Sequence, residues 1–132
     1  MHTIAADAGT RTVRVTLAGT MSPSDVDAYM SDLQRVLVAH RLAADYGIVI
    51  DVTACTIQTR GMMEAMGRRM AAMPRARSVA IVSRSQLARL QIRRLFTQAY
   101  ARCVCSVEEG LDWVVGGIEP PSSSTVTTAV RW

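Results

Sequence analysis

Residues 47–66 constrain the fold more than any other stretch of this chain. A short apolar run, Gly47-Ile48-Val49-Ile50, ends on Asp51; a Thr-rich segment follows, then the step Arg60-Gly61, then a Met-rich helical pattern. That sequence of events is a buried strand handing over to a helix at the carboxyl edge of a sheet, where α/β domains place their working loops. The strand, Tyr46 to Val52, is almost continuously apolar. Such a run belongs to a central parallel strand covered on both faces. The helix after Thr59 carries Met62, Met66, Met70 and Met73 on one stripe and stops at Pro74. A stripe of this kind either fills a core or lines an adaptable groove.

The flanking segments complete an α/β pattern. Residues 3–6 and 11–18 read as a hairpin around Asp7-Ala8-Gly9-Thr10, with Val13, Val15 and Leu17 alternating on one face. Ser22-Pro23-Ser24-Asp25 opens a helix, with Ser22 as N-cap, Pro23 at the first position and Asp25 closing a capping box. Its apolar stripe is Val26, Tyr29, Met30, Leu33, Val36 and Leu37, and His40 falls on the same stripe as a core-edge residue. A strand over 77–83, a helix over 85–100, an edge strand over 102–106 and a short helix over 108–115 follow. Ala88, Ile92, Leu95, Phe96 and Ala99 form the inner arc of the 85–100 helix, leaving Leu87 and Leu90 outside it. The order β-β-α-β-α-β-α-β-α predicts a compact mixed sheet of about five strands with about four helices, mainly on one face. Residues 1–116 form the expected domain, and 117–132, with Pro120-Pro121-Ser122-Ser123-Ser124, a flexible tail.

Composition narrows the function classes. With 132 residues and 49% apolar content, one folded domain is expected. No apolar run reaches the roughly 20 residues of a membrane span, and the start of the chain shows no secretory pattern, so a cytoplasmic setting is expected. Cys55, Cys103 and Cys105 are odd in number, which suits reduced thiols. Cys103 and Cys105 share a strand face, yet the only histidines are His2 and His40, so no metal site is expected. All 15 basic residues are Arg; ten of them, against the single acid Glu64, lie in residues 60–102. That excess reads either as a solvated face or as a surface for an anionic partner.

Three places resemble one family. Thr16-Leu17-Ala18-Gly19-Thr20-Met21-Ser22 looks like a strand-Gly-turn-helix entry. Ile48-Val49-Ile50-Asp51-Val52-Thr53 looks like a central strand ending in Asp-apolar-Ser/Thr. Ser106 to Val114 looks like a closing helix ending in Trp plus an aliphatic residue. Together they resemble the STAS superfamily, the fold of anti-sigma-factor antagonists, and more narrowly its small bacterial branch grouped with CRAL-TRIO lipid-binding domains. The resemblance covers about residues 3–116. It implies a regulatory module that binds protein partners or itself. The family's switch is a serine phosphorylated within Asp-Ser-Ser-Gly at the start of the second helix. Counted from Asp51 without gaps, the acceptor position holds Arg60; with one deletion, Gly61 matches the motif glycine and Thr59 the acceptor. The acid before the acceptor is absent in both alignments, so the serine phospho-switch is expected to be missing.

No Gly-rich phosphate loop, nucleophile elbow or metal-ligand spacing is present, so a non-enzymatic module without cofactor is expected. Its interaction loop would be Asp51, Thr56, Thr59, Arg60 and Gly61. Its interface would be Met63 on the Met-rich helix with Leu87, Leu90, Arg93 and Arg94 on the next, for a protein partner or a homodimer. A second reading, implied by the lipid-binding kinship, is a carrier of a small apolar ligand or lipid beneath the methionines. A third is binding of nucleic acid or another anionic partner through residues 60–102. One Phe, three Tyr and two Trp give no stacking platform, which makes nucleic acid the weakest of the three.

Overall fold

The structure, a computed structural model, describes residues 1–56 and 60–121, with the backbone alone for Arg60, Met62, Met63 and Leu95. The element order is β1 (His2–Asp7), β2 (Thr12–Gly19), α1 (Pro23–Ala39), β3 (Gly47–Cys55), α2 (Arg60–Ala71), β4 (Ser78–Val82), α3 (Gln86–Leu95), β5 (Ala101–Val104) and α4 (Val107–Gly116). The five strands lie side by side in chain order, β1 antiparallel to β2 and every later pair parallel. This is the mixed five-stranded α/β sheet with four helices that the sequence implies. β3 occupies the centre, and Ile48, Val49 and Ile50 are all buried, as a strand covered on both faces requires.

Strands that follow one another in chain order, joined by right-handed crossovers, keep their connecting helices on one side. The main core accordingly joins Val13, Val15, Leu17, Ile48, Ile50, Val79 and Ile81 of the sheet to Val26, Tyr29, Met30, Leu33 and Leu37 of α1. Met66, Met70 and Met73 from the Met-rich segment pack against the same core. The alternate strand residues Val49, Ala80, Val82 and Val104 face the opposite way and meet Val114 of α4. At Gly110 a Cβ would stand 3.1 Å from Val49 Cγ1 and 3.2 Å from Ala80 Cβ, so glycine lets α4 lie close to the sheet.

Local chemistry sets the helix ends. Ser22 Oγ accepts from Asp25 N at 3.2 Å while Asp25 Oδ2 accepts from Ser22 N at 2.9 Å, the expected capping box. Ser85 and Ser106 cap α3 and α4 with the side-chain half of that arrangement, each hydroxyl accepting at 3.2 Å, from Ala88 N and Glu109 N respectively. Gly117, at φ 67°, ends α4 in the left-handed conformation.

Four local expectations are corrected. The helix expected over 85–100 ends at Leu95, because Phe96 leaves helical geometry (φ −112°, ψ 82°) and packs inward against the main core. Ala99, expected on the inner arc, is exposed. His40, expected at the core edge, is an exposed C-cap whose backbone N–H donates to Val36 O at 3.1 Å. β5 ends at Val104, leaving Cys105 beyond the strand. Residues 117–121 follow α4 closely: Glu119 pairs with Arg102 and Pro120 is buried. The expected strand-like segment and Trp132 lie outside the described residues.

Candidate functional site

Strand lengths at the carboxyl edge of the sheet are unequal. β4 pairs with β3 as far as Asp51↔Val82, but β3 runs on to Cys55 alongside β2, past a register shift between Thr16 and Ala18. Beyond Val82 the chain leaves the sheet through Ser83-Arg84-Ser85 and enters α3. The overhanging end of β3, the start of α3 and the methionines of α2 therefore surround a space that no backbone fills.

That space is a cavity of about 160 Å³. Leu17, Ile50 and Ile81 of the sheet, with Met21 and Tyr29, line its inner part; Met66 and Met70 come from α2, and Ala88, Ile92 and Phe96 from α3 and its end. Thr53, Thr56, Arg84 and Ser85 are exposed and mark the rim. Arg84 is the single ionised side chain among the described residues of the lining. The wall is mostly apolar, with buried Ser83 and half-buried Cys55 as small polar interruptions. Burial pushes the Cys55 thiol pKa up, so the group stays neutral.

Tyr29 is the exception within this wall. It projects from α1 with 0% exposure, and its phenolic oxygen has no hydrogen-bond partner among the described residues. Burial pushes its pKa strongly upward, so the phenol is a permanent neutral donor and acceptor. A buried hydroxyl left without a partner costs about 1–3 kcal/mol. A phenylalanine would fill the same volume without that cost.

The expected interaction residues are dispersed by the fold. Asp51 accepts from Thr53 N at 2.9 Å and from the Thr53 hydroxyl, so it organises the end of its own strand and does not line the cavity. Thr56 reaches the rim, and its N–H donates to Gly19 O at 3.1 Å. Thr59 lies outside the described residues, as do the side chains of Arg60 and Met63. Gly61 is exposed in the first turn of α2, with open space where a Cβ would stand. Leu87 and Leu90 are each 54% exposed, and Arg94 is exposed at a spacing that shares their face. Arg93 is separated from that group because it is half-buried. The interface residues on α3 point away from the cavity, which is lined from that helix by Ala88, Gln91 and Ile92.

The Arg-rich third of the chain is partly consumed within the fold. Arg69 pairs with Asp27, Arg75 lies over the Tyr100 ring at 4.5 Å, and Arg89 Nη1 donates to Cys105 Sγ at 3.0 Å. Arg102 pairs with Glu119 at 2.6 Å while lying over the Trp113 ring at 4.2 Å. Arg77 serves backbone carbonyls at the opposite edge of the sheet. A charge excess distributed in this way is weaker support for one anion-binding face than the sequence alone suggests. Among the described residues no group of three or more His, Cys, Asp or Glu could hold a metal, and no helix is long and apolar enough to cross a membrane.

The sequence names Met66 and Met70 as pocket candidates but misses Tyr29, Ser83, Gln91 and Phe96. The available signal was a tyrosine within an otherwise aliphatic and methionine core stripe, which brings a hydroxyl where none is needed for packing. Compared with models of known protein families, the chain matches none, and no curated protein matches it.

Proposed function

We propose that this chain is a small non-enzymatic binding module that takes up a compact apolar ligand at the carboxyl edge of its sheet. The observation that carries this reading is the apolar cavity of about 160 Å³ roofed by Met66 and Met70. An apolar cavity of roughly 150 Å³ suffices to admit benzene. The methionines supply a wall that can adapt to an entering molecule. The STAS resemblance implies a regulatory role, in which ligand occupancy would alter the loop and helices around the cavity. A cytoplasmic setting suits the three free cysteines.

Toluene titration followed by calorimetry tests the reading, with Ala88→Leu as the filled-cavity control. Saturable binding to the wild-type protein and its loss in the variant support the module. Equal heats from both proteins, or none from the wild type, overturn it. Native mass spectrometry of freshly purified protein adds the identity of any co-purifying molecule.

A second reading, a docking module for a protein partner, is favoured by Leu87 and Leu90, which expose apolar surface on one face of α3. Light scattering of the wild type against Leu90→Asp tests it: a concentration-dependent dimer lost in the variant supports self-association, and a monomer throughout removes that form of it.

A further inference from the structure

We infer that the cavity selects a molecule of single-ring aromatic size carrying one neutral hydrogen-bonding group, and that Tyr29 Oη binds that group. This deepens the apolar-ligand reading and rests on it.

Three observations converge. The cavity volume, about 160 Å³, matches a six-membered ring with a small substituent and leaves a longer chain protruding at the open rim. The inner wall is apolar, so most of the ligand must be apolar as well. Tyr29 lines this wall, is 0% exposed, and its hydroxyl lacks a partner among the described residues. The hydroxyl is beyond the reach of a water molecule, so a ring with one hydroxyl or carbonyl meets it by a small shift of the adaptable methionine wall while the ring fills the apolar space.

The charge of the ligand follows from the same wall. The one ionised lining residue described, Arg84, is exposed at the rim. A carboxylate driven inward to Tyr29 would be desolvated with no cation beside it. A carboxylate ligand would instead sit with its head at Arg84 and leave Tyr29 unpaired. The inner position therefore suits a phenol, an aryl alcohol or an aryl ketone. The Tyr29 hydroxyl has already lost its water on folding. Binding a polar group therefore removes an existing penalty, which makes the site discriminate between isosteres with and without that group.

The test compares toluene, phenol and benzoate on the wild-type protein and on Tyr29→Phe. We expect phenol to bind the wild type more tightly than toluene, and the ratio of their dissociation constants to change by about tenfold in Tyr29→Phe, in favour of toluene. Phenol should also shift the Tyr29 ¹³Cζ resonance of the wild type more than toluene does, a readout independent of the variant. Binding of both molecules with the same ratio in the two proteins overturns the role of Tyr29 while leaving the apolar-ligand reading intact. Tightest binding by benzoate, unaffected by Tyr29→Phe, overturns it in favour of a head-out ligand at Arg84. Binding of none of the three overturns this inference and the underlying reading together.

Discussion

The two edges of the parallel sheet are built on opposite plans. At the amino edge, polar groups are tied off. Arg77 donates to Thr10 O at 3.1 Å, Arg11 O at 3.3 Å and Val114 O at 3.2 Å, joining the β1–β2 turn to the end of α4. Arg11 donates to Asp45 O and Arg41 O, each at 2.8 Å, and the Tyr46 hydroxyl donates to Pro74 O. A concavity of about 500 Å³ at this edge, near Tyr46 and Pro74, is broad and rimmed by Glu64, Arg68 and Arg75. At the carboxyl edge the cavity is smaller and drier, and its buried tyrosine hydroxyl has no partner among the described residues. Two tyrosines under the same helical layer thus meet different fates. Tyr46 closes its hydrogen bond within the chain, and Tyr29 holds one open. The difference separates an edge whose polar groups are paired within the chain from an edge that leaves a buried hydroxyl without a partner among the described residues.

This contrast orders the expected responses to mutation. Arg77→Ala should have the largest effect, a loss of about 2–3 kcal/mol in urea unfolding, because three carbonyls lose a charged donor together. A change below about 0.5 kcal/mol would place the amino edge among ordinary exposed surfaces. Tyr29→Phe should move the other way and raise stability by about 1 kcal/mol, since it deletes an unpartnered hydroxyl and keeps the ring. If it destabilises instead, the hydroxyl has a partner and the contrast between the edges fails. Ala88→Leu should raise stability by about 0.5–1 kcal/mol by filling the cavity. A loss would mean that the space is too small for the added carbons. Leu90→Asp, on the outer face of α3, should leave monomer stability within about 0.5 kcal/mol, readable in the same unfolding series.

The smallest effect concerns acid. Asp25 is held below its ordinary value of 3.8, first by the Ser22 backbone N–H and then by the Ser22 hydroxyl. A lowered carboxylate stabilises the fold fully above its unfolded value, and that contribution disappears as pH falls through the lower folded value. Melting temperature should therefore drop below about pH 4, slightly less steeply in Asp25→Asn. Indistinguishable acid profiles would remove Asp25 from the titration.

Much of the architecture is legible in the sequence because it rests on local signals. The Ser22–Asp25 capping box, the alternation of Val13, Val15 and Leu17, and the doubly buried Ile48–Ile50 run each point to one element and one environment. The break at Phe96 is not local: it depends on a space between α2 and α3 into which the ring can turn. The candidate site is less legible for the same reason. Asp51, Thr56 and Gly61 mark where β3 gives way to α2, but the cavity arises from unequal strand ends, a property of pairing between distant segments. In the sequence Tyr29 is one member of an apolar core stripe. Only the fold reveals that its oxygen faces no acceptor or donor among the described residues. Arg93 shows the converse, since helical spacing brings it near Leu90 while the fold leaves it half-buried.

The most direct measurement is a toluene titration of protein carrying ¹³C-methyl methionine. Met21 and Met66 line the carboxyl-edge cavity and not the amino-edge concavity, Met70 lies between the two and lines both, and Met73 lines only the amino-edge concavity of the pair. The account predicts saturable shifts of the Met21, Met66 and Met70 methyl resonances along one binding curve, with Met73 unmoved. Shifts confined to Met73, or no saturable shift at any methionine, would contradict it.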